Sequence, residues 1–281
     1  MKHQFIDAQR QSHTVRRLCA ILDVSPSGYY AARHRPPSPA AQRRLDLTSK
    51  IQKVHESSRQ TYGSPRVHAE LFSQGISCCQ NTVAKLMRKA DIVPRAIRRF
   101  RLTTDSRNTK ASPNVLRRVF LVKRANHSWV SDITYIPTRE GWLYLAAILD
   151  LYSRAIVGWA MSKRLDSQLA TDALIMALAK RGVAPRLLHS DQGSTYATAA
   201  YRDLLKRYAI RQSMSRKGNC WDNAPMESFF HTLKTELVMH NDYLTRTQAR
   251  SSLFDYLEVF YNRQRRHSAI NYVAPMAFER Q

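Results

Sequence analysis

The sequence predicts an α/β protein, a mixed five-stranded sheet with helices, preceded by an all-α helix-turn-helix region. Three observations predict it. Strand-like runs between Trp129 and Met161 are separated by hairpin-length turns. Beyond Met161 helical and strand-like runs alternate, and ahead of Asn126 the apolar residues recur at helical spacing.

Taken in chain order, Thr14 to Leu22 carries Val15, Leu18, Cys19, Ile21 and Leu22 at helical spacing. Asp23-Val24 then turns into Ser25-Pro26, an N-cap followed by proline at the first helical position, so 1–34 reads as a first helix-turn-helix. Arg35-Pro36-Pro37-Ser38-Pro39 reads as an extended connector. A second unit is expected over 42–95. There Arg66 to Phe72 leads through Ser73-Gln74-Gly75-Ile76 into Ser77-Cys78-Cys79-Gln80, read as a capping box, and then a helix with Val83, Leu86 and Met87. Any packed helical hairpin shows this pattern, but the basic surroundings favour DNA, with Asn81, Lys85, Arg88 and Lys89 exposed on the second recognition helix. A basic linker is expected over 96–123, its Thr103 to Pro113 stretch the most polar part.

The core is expected over 124–240. Trp129 to Ile136, Trp142 to Leu149 and Ala155 to Met161 are strands, joined by Thr138-Arg139-Glu140-Gly141 and Asp150-Leu151-Tyr152-Ser153-Arg154. A helix from Ser167 to Lys180, a strand Arg186 to Ser190, a helix Ala199 to Tyr208, a strand Ile210 to Ser213 and a helix from Asn223 follow. Three antiparallel strands, then helix, strand, helix, strand and helix is the order of a ribonuclease-H-like core. A C-terminal helical extension completes the chain over 241–281.

Composition narrows the function. A net charge of +24 and a pI near 10.4 point to nucleic acid or an anionic membrane. Membrane is the weaker choice, because no run of 18 apolar residues exists and Met1 to Arg10 lacks a secretory h-region. Residues 1–110 hold 21 Lys/Arg against 7 Asp/Glu, and 85–124 hold 13 basic residues against Asp91 and Asp105 alone. Arg98, Arg99 and Arg101 fall in that stretch and are expected to track phosphates. Cys19, Cys78, Cys79 and Cys220 include no CxxC pair, which argues against zinc and for reduced thiols in a cytoplasm.

Three acids stand where a two-metal phosphoryl-transfer site needs them. Asp132 lies in an apolar strand, where an unpaired carboxylate is expensive and calls for a cation. Asp191 closes the run Leu187-Leu188-His189-Ser190 before a Gln192-Gly193-Ser194 loop. Glu227 follows after 35 intervening residues on a helix capped by Asn223 or Asp222, with Pro225 in its first turn. Helical period puts Asn223, Glu227, His231 and Lys234 on one face, suited to a metal at one level and DNA phosphates at the next, with Phe229, Phe230, Leu233 and Leu237 as anchors. Three carboxylates can hold two Mg²⁺ ions roughly 3.5 to 4 Å apart, with Mn²⁺ as a substitute. Water as nucleophile then gives nicking and a DNA 3′-hydroxyl gives strand transfer.

The segments Trp129-Val130-Ser131-Asp132-Ile133-Thr134-Tyr135, His189-Ser190-Asp191-Gln192-Gly193 and Asp222-Asn223-Ala224-Pro225-Met226-Glu227-Ser228-Phe229-Phe230, with Leu233-Lys234, resemble bacterial transposases of the third insertion-sequence family. So do Tyr261-Asn262-Arg263, Arg266-His267 and Tyr62-Gly63-Ser64-Pro65-Arg66. The chain is similar to the second-frame product, OrfB, whose core is like that of retroviral integrases. The resemblance implies a DDE transposase acting on double-stranded DNA at element ends and target, with Asp132, Asp191 and Glu227 as catalytic metal ligands and Lys234 as a DNA-contacting lysine. It further implies a homo-oligomer on DNA, at the bacterial nucleoid. In this family frameshifting usually joins an upstream OrfA helix-turn-helix and leucine zipper to OrfB; no sustained heptad occurs here, so an OrfA product or fusion is an expected partner.

Two rivals share these features: a DNA-binding regulator with an inactive core, and a purely hydrolytic nuclease of the same fold. The intact acidic triad argues against the first, and the long basic N-terminal region against the second. Lesser candidates are Asp150 with Arg154 as a pair across a turn, His189 as an orienting group for its loop, Trp221 with Ser213 to Cys220 as a mobile DNA-touching loop, and Arg263, Arg265 and Arg266 as phosphate ligands or a solvated helix end.

Overall fold

Hydroxyl and proline residues set where the N-terminal helices begin. The computed structural model describes residues 2–34, 36–95, 112–216 and 219–281, and it opens with α1 (Lys2–Gln9), α2 (Val15–Ile21) and α3 (Pro26–His34). The Gly28 amide donates to Ser25 Oγ at 2.9 Å, so Ser25 caps α3 as its sequence position predicts. Ile6, Leu18, Cys19 and Tyr29 form a small buried cluster among these helices. The connector is shorter than expected. Pro39 starts α4 (Pro39–Ser57), because proline at a first helical position loses nothing and Ser38 Oγ accepts the Ala41 amide. Packing divides the chain into two compact units, Met1–Lys53 and Val54–Gln281.

In the second unit α5 (Ser64–Ser73) and α6 (Gln80–Lys89) form the predicted hairpin. Its turn uses Gly75 at φ +75°, and Val83, Leu86 and Met87 are buried as the spacing predicts. The capping box is a correction: α6 begins at Gln80 with Cys79 in the N-cap position and no side-chain cap bond, one turn short of giving Ser77 that role.

The sheet follows. Strands β1 (Ser128–Ile136), β2 (Leu143–Asp150) and β3 (Ile156–Ser162) run antiparallel in sequence, and β4 (Leu187–Ser190) and β5 (Arg211–Met214) add in parallel, in the order β3-β2-β1-β4-β5. Between β3 and β4, α7 (Ser167–Arg181) crosses the sheet, capped by Asp166 and stopped by Gly182 at φ +65°. It sits on the strand backbone at Gly158, where a Cβ would stand 2.4 Å from the Ala173 carbonyl oxygen. Between β4 and β5 comes α8 (Ala199–Arg207), started by Thr198. Trp129, Ile148, Val157, Leu174, Leu188 and Tyr201 belong to the core between sheet and helices.

One pairing detail positions the site. β1 pairs β2 from Trp129 to Ile136 but pairs β4 only from Ser128 to Val130. From Ser131 onward its β4 side is open, because β4 ends at Ser190. Into that opening comes α9 (Ala224–Glu236), whose Met226, Phe229, Phe230 and Leu233 are buried. The chain ends with α10 (Arg246–Phe254), a π-helical stretch Asp255–Tyr261 that continues it, and α11 (Pro275–Phe278). Asn262 then serves the sheet like a strand neighbour: its amide donates to the Ile156 carbonyl and its Oδ1 accepts the Ile156 amide, covering part of the β3 edge. Among the described residues no helix is long and apolar enough to cross a membrane.

Candidate active site

Asp132 and Asp191 meet where β1 outruns β4. The half-buried Asp132 carboxylate accepts its neighbour's amide, Ile133 N–H, at 2.8 Å. Burial, then Asp191, then Glu227 push it well above the ordinary carboxylate range, while Lys234 pulls the other way. Asp191, one residue past β4, accepts the Gly193 amide at 2.9 Å, and burial raises its pKa. Gly193 is needed for that turn, since a Cβ there would stand 2.9 Å from Asp191 Oδ1. Glu227 lies in the first turn of α9, half-buried, its pKa raised by burial.

The three are brought to one edge, where Asp191 and, less strongly, Glu227 raise the Asp132 pKa. Among the described residues no three His, Cys, Asp or Glu side chains are drawn together as a ready metal-holding group. The donor chemistry is nonetheless all carboxylate oxygen, which suits a hard cation such as Mg²⁺. Two half-buried carboxylates, each with its pKa raised by burial and one of them raised further by the other, are a site short of positive charge.

The sequence calls for a cation near Asp132 without naming it, and Lys234 lies within electrostatic reach of that carboxylate. Two turns along α9, its Nζ lies 4.7 Å from the centre of the Tyr135 ring, which itself packs edge-on against Trp142. Burial lowers its pKa and Asp132 holds it up. Behind the aspartates, Tyr196 is buried with its hydroxyl 3.0 Å from Ser131 Oγ, and the carboxylates help push its pKa far up.

Asn223 requires a correction. It is 4% exposed and its amide donates to the Ser131 carbonyl at 3.1 Å, tying the start of α9 to β1. Its side chain cannot face DNA, because the 3-10 turn over Cys220–Asn223 swings it off the helical stripe. His231 stays exposed on α9, as expected, and Asn81, Lys85, Arg88 and Lys89 are all exposed on α6. Arg98, Arg99 and Arg101 lie outside the described residues, with most of the basic linker, and so does Gly218. Trp221 is 67% exposed beside α9.

Several charged candidates are structural. Asp150 accepts the Asn126 and Tyr152 amides and stands 3.9 Å from Arg181, while the Arg154 guanidinium reaches the Phe120 carbonyl; the two are joined across the turn by the backbone, the Arg154 amide donating to the Asp150 carbonyl at 2.8 Å. His189 is buried, hydrogen-bonded to Ser213 and Ser215, with burial lowering its pKa to about 4, so it links β4 to β5 as a neutral ring. Arg265 is 3% exposed and forks onto Glu236, and Arg266 binds Glu70, which leaves Arg263 as the exposed member of that trio.

Sequence reasoning missed Asp222 as a hub. Its side chain is fully buried and accepts from Arg216, Arg118 and Asn114, which holds 114–118 against the turn that starts α9. Arg216, six residues before Asp222, was a local signal, whereas nothing in the sequence pairs Arg118 with Asp222 across 104 residues.

Comparisons with known proteins identify the domain families and relatives of the chain. Two integrase core domain families match residues 122–220 and 227–281, and an HTH-like domain family matches 42–100. The chain is 40% identical over 284 residues to the transposase InsF for insertion sequence IS3A of Escherichia coli K12, covering 99% of this chain and 98% of that protein. It is 42% identical over 263 residues to an insertion element IS600 31 kDa protein of Shigella sonnei, covering 93% and 97%. Among solved structures, the simian T-cell lymphotropic virus intasome in complex with PP2A regulatory subunit B56 gamma aligns with TM-score 0.49 at 18% identity, covering 82% of this chain and 74% of that one. The HTLV-2 integrase catalytic core domain in complex with magnesium aligns with TM-score 0.44 at 16% identity, covering 56% and 97%.

Proposed function

The chain belongs to the IS3-family insertion-sequence transposases, DDE-type polynucleotidyl transferases that move DNA, and on that premise we propose that Asp132, Asp191 and Glu227 form its catalytic centre for cleavage and joining at the element's ends. The observation that carries this reading is the convergence of Asp132 and Asp191 in the opening beside β1, with Glu227 on the helix that fills it.

Asp132, Asp191 and Glu227 would hold the divalent ions through their carboxylate oxygens. Mg²⁺, or Mn²⁺ in its place, supplies charge stabilisation to the entering and leaving oxygens of an in-line displacement at phosphorus, two ions per site. The residues' own tasks follow from where they sit. The Gly193 amide, donating to Asp191 Oδ1, fixes that carboxylate in its turn. Lys234 lies close enough to Asp132 to support its charge and far enough along α9 to meet a phosphate of the terminal strand. His231 is available to the same strand from the exposed side of α9. Asn223 and Asp222 fix the helix start that presents Glu227. No protein nucleophile is required, since water attacks in nicking and a DNA 3′-hydroxyl in joining.

Around that centre we assign five segments: 1–34 as a first helix-turn-helix, 42–95 as the DNA-reading hairpin with Asn81, Lys85, Arg88 and Lys89 toward the duplex, 96–123 as a phosphate-tracking linker, 124–240 as the core and 241–281 as its buttress. The exposed basic face of α6 supports the second assignment. The active form is a homo-oligomer on paired ends, with an OrfA product or fusion contributing to end recognition.

The test is metal-dependent joining of labelled terminal DNA. Asp132→Ala, Asp191→Ala and Glu227→Ala should each lower joining by about a thousandfold or more while leaving DNA binding largely intact. A variant that joins at near-wild-type rate removes its residue from the site.

A further inference from the structure

We propose that the cavity between the Tyr62–Arg66 segment and the second half of α9 is a phosphate subsite for the backbone of the terminal DNA, with Arg66 as its cation. It rests on the strand-transfer reading above. The cavity holds about 520 Å³, within the size range of ordinary ligand sites, and Gly63, Arg66, Arg95, His231, Thr232 and Ser268 are among its walls.

Charge balance is the first argument. Three arginines, Arg66, Arg95 and Arg265, line the cavity against one acid, Glu236. That acid is already satisfied: Arg265 donates to both its oxygens at 2.7 Å and the Tyr256 hydroxyl donates to Oε2 at 2.8 Å. Arg66 stands 3.6 Å from Glu236 Oε1, too far for a good hydrogen bond, with its ring partner Tyr62 5.8 Å away. Its side chain is 25% exposed, and burial together with the nearby Arg265 pulls its pKa down. A half-buried guanidinium that shares its only acid among the described residues with a better-placed arginine is a fork awaiting an anion. A metal would find no spare carboxylate here, and an apolar ligand would have to bury these charges.

Preorganisation is the second argument. Tyr62 is buried, its hydroxyl accepting the Arg266 amide at 2.7 Å and donating to the Gln264 carbonyl. Pro65 lies in the first turn of α5, and the Arg95 guanidinium reaches the Glu236 carbonyl. Arg66 therefore projects from a fixed base. The Tyr62-Gly63-Ser64-Pro65-Arg66 motif thereby gains a task that the metal site leaves open.

Position is the third. His231 and Thr232 lie four and five residues beyond Glu227 on α9, about 6 to 8 Å along the axis. At about 3.4 Å of duplex per phosphate on one strand, that offset is roughly two nucleotides. A phosphate held here would fix the terminal strand a few nucleotides from the bond that is cut.

The experiment uses the full chain and a terminal duplex carrying one neutral methylphosphonate at each position in turn. Wild type should lose about three- to tenfold in affinity at one position within a few nucleotides of the cleaved bond, and Arg66→Gln should lose a similar amount on unmodified DNA but nothing further at that position. The slope of log Kd against log salt should fall by about one in Arg66→Gln and recover in Arg66→Lys. A flat methylphosphonate scan on wild type overturns the proposal, and needs no variant to fold. Thermal protection of wild type but not Arg66→Gln by inorganic phosphate, with a flat scan, would show a free-anion site and equally overturn the DNA assignment. Binding is scored without catalysis, so failure here is separate from failure of the Asp132 reading, which is judged by joining.

Discussion

Removing the Glu236 carboxylate should destabilise the catalytic unit far more than a surface ion pair would. In Glu236→Ala, Arg265 keeps its charge at 3% exposure and loses both of its charge-assisted bonds, and the buried Tyr256 hydroxyl loses its acceptor. Stranding one partner of a buried pair costs about 3 to 5 kcal/mol. The orphaned hydroxyl adds on the order of 1 kcal/mol, not fully additive because both bonds end on one group. Arg265→Met should cost less, about 2 kcal/mol, because Glu236 is 11% exposed and keeps Arg66 and Tyr256. Combining Glu236→Leu with Arg265→Met should cost less than the sum of the two single changes, since neither charge is then left buried alone. Urea unfolding followed by tryptophan fluorescence suits the measurement, because Trp129, Trp142, Trp159 and Trp221 all lie in the Val54–Gln281 unit. A Glu236→Ala loss below about 1 kcal/mol, or strict additivity in the double variant, would refute the burial argument.

Three further outcomes follow from other parts of the structure. Gly158→Ala places a methyl 2.4 Å from the Ala173 carbonyl and 2.6 Å from Ala177 Cβ, so it should lower stability by about 1 to 3 kcal/mol; an unchanged urea midpoint would mean that α7 does not sit on β3 this closely. Arg216, with Arg118, holds the Asp222 carboxyl well below the ordinary range, so below its unfolded value near 3.8 the unfolded chain takes up a proton that the folded chain refuses. Its contribution is therefore present at neutral pH and lost as pH falls below about 4; Asp222→Asn should flatten that acid limb, and an identical limb in the variant would count against the hub. Lys234→Ala should lower joining and terminal-DNA affinity without changing the Mg²⁺ requirement, with Lys234→Arg partly active; a shifted metal requirement with normal DNA binding would mean that this face of α9 points elsewhere.

The strand-like runs from Ser128 to Ser162, the hairpin turn at Gly141 and the helix–strand order after it are local signals, and they determined the sheet and the places of Asp132 and Asp191 along it. Proline and hydroxyl residues at helix starts gave α3 its cap in the same way, and the apolar period of α6 marked its buried side. Where partners lie far apart in sequence, local pattern had no purchase. The stripe logic that joined Glu227 to Lys234 also enrolled Asn223, and only the turn ahead of α9 and the Ser131 carbonyl, 92 residues away, decided that its amide points inward. Arg265 read as a phosphate ligand or part of a solvated helix end, yet the acid that claims it comes from α9, 29 residues back. The open edge of β1 beside Asp132 exists because β4 stops pairing at Val130, a length that no residue type announces. Charge and period are written along the chain, whereas burial and pairing belong to whichever distant residue packing brings alongside.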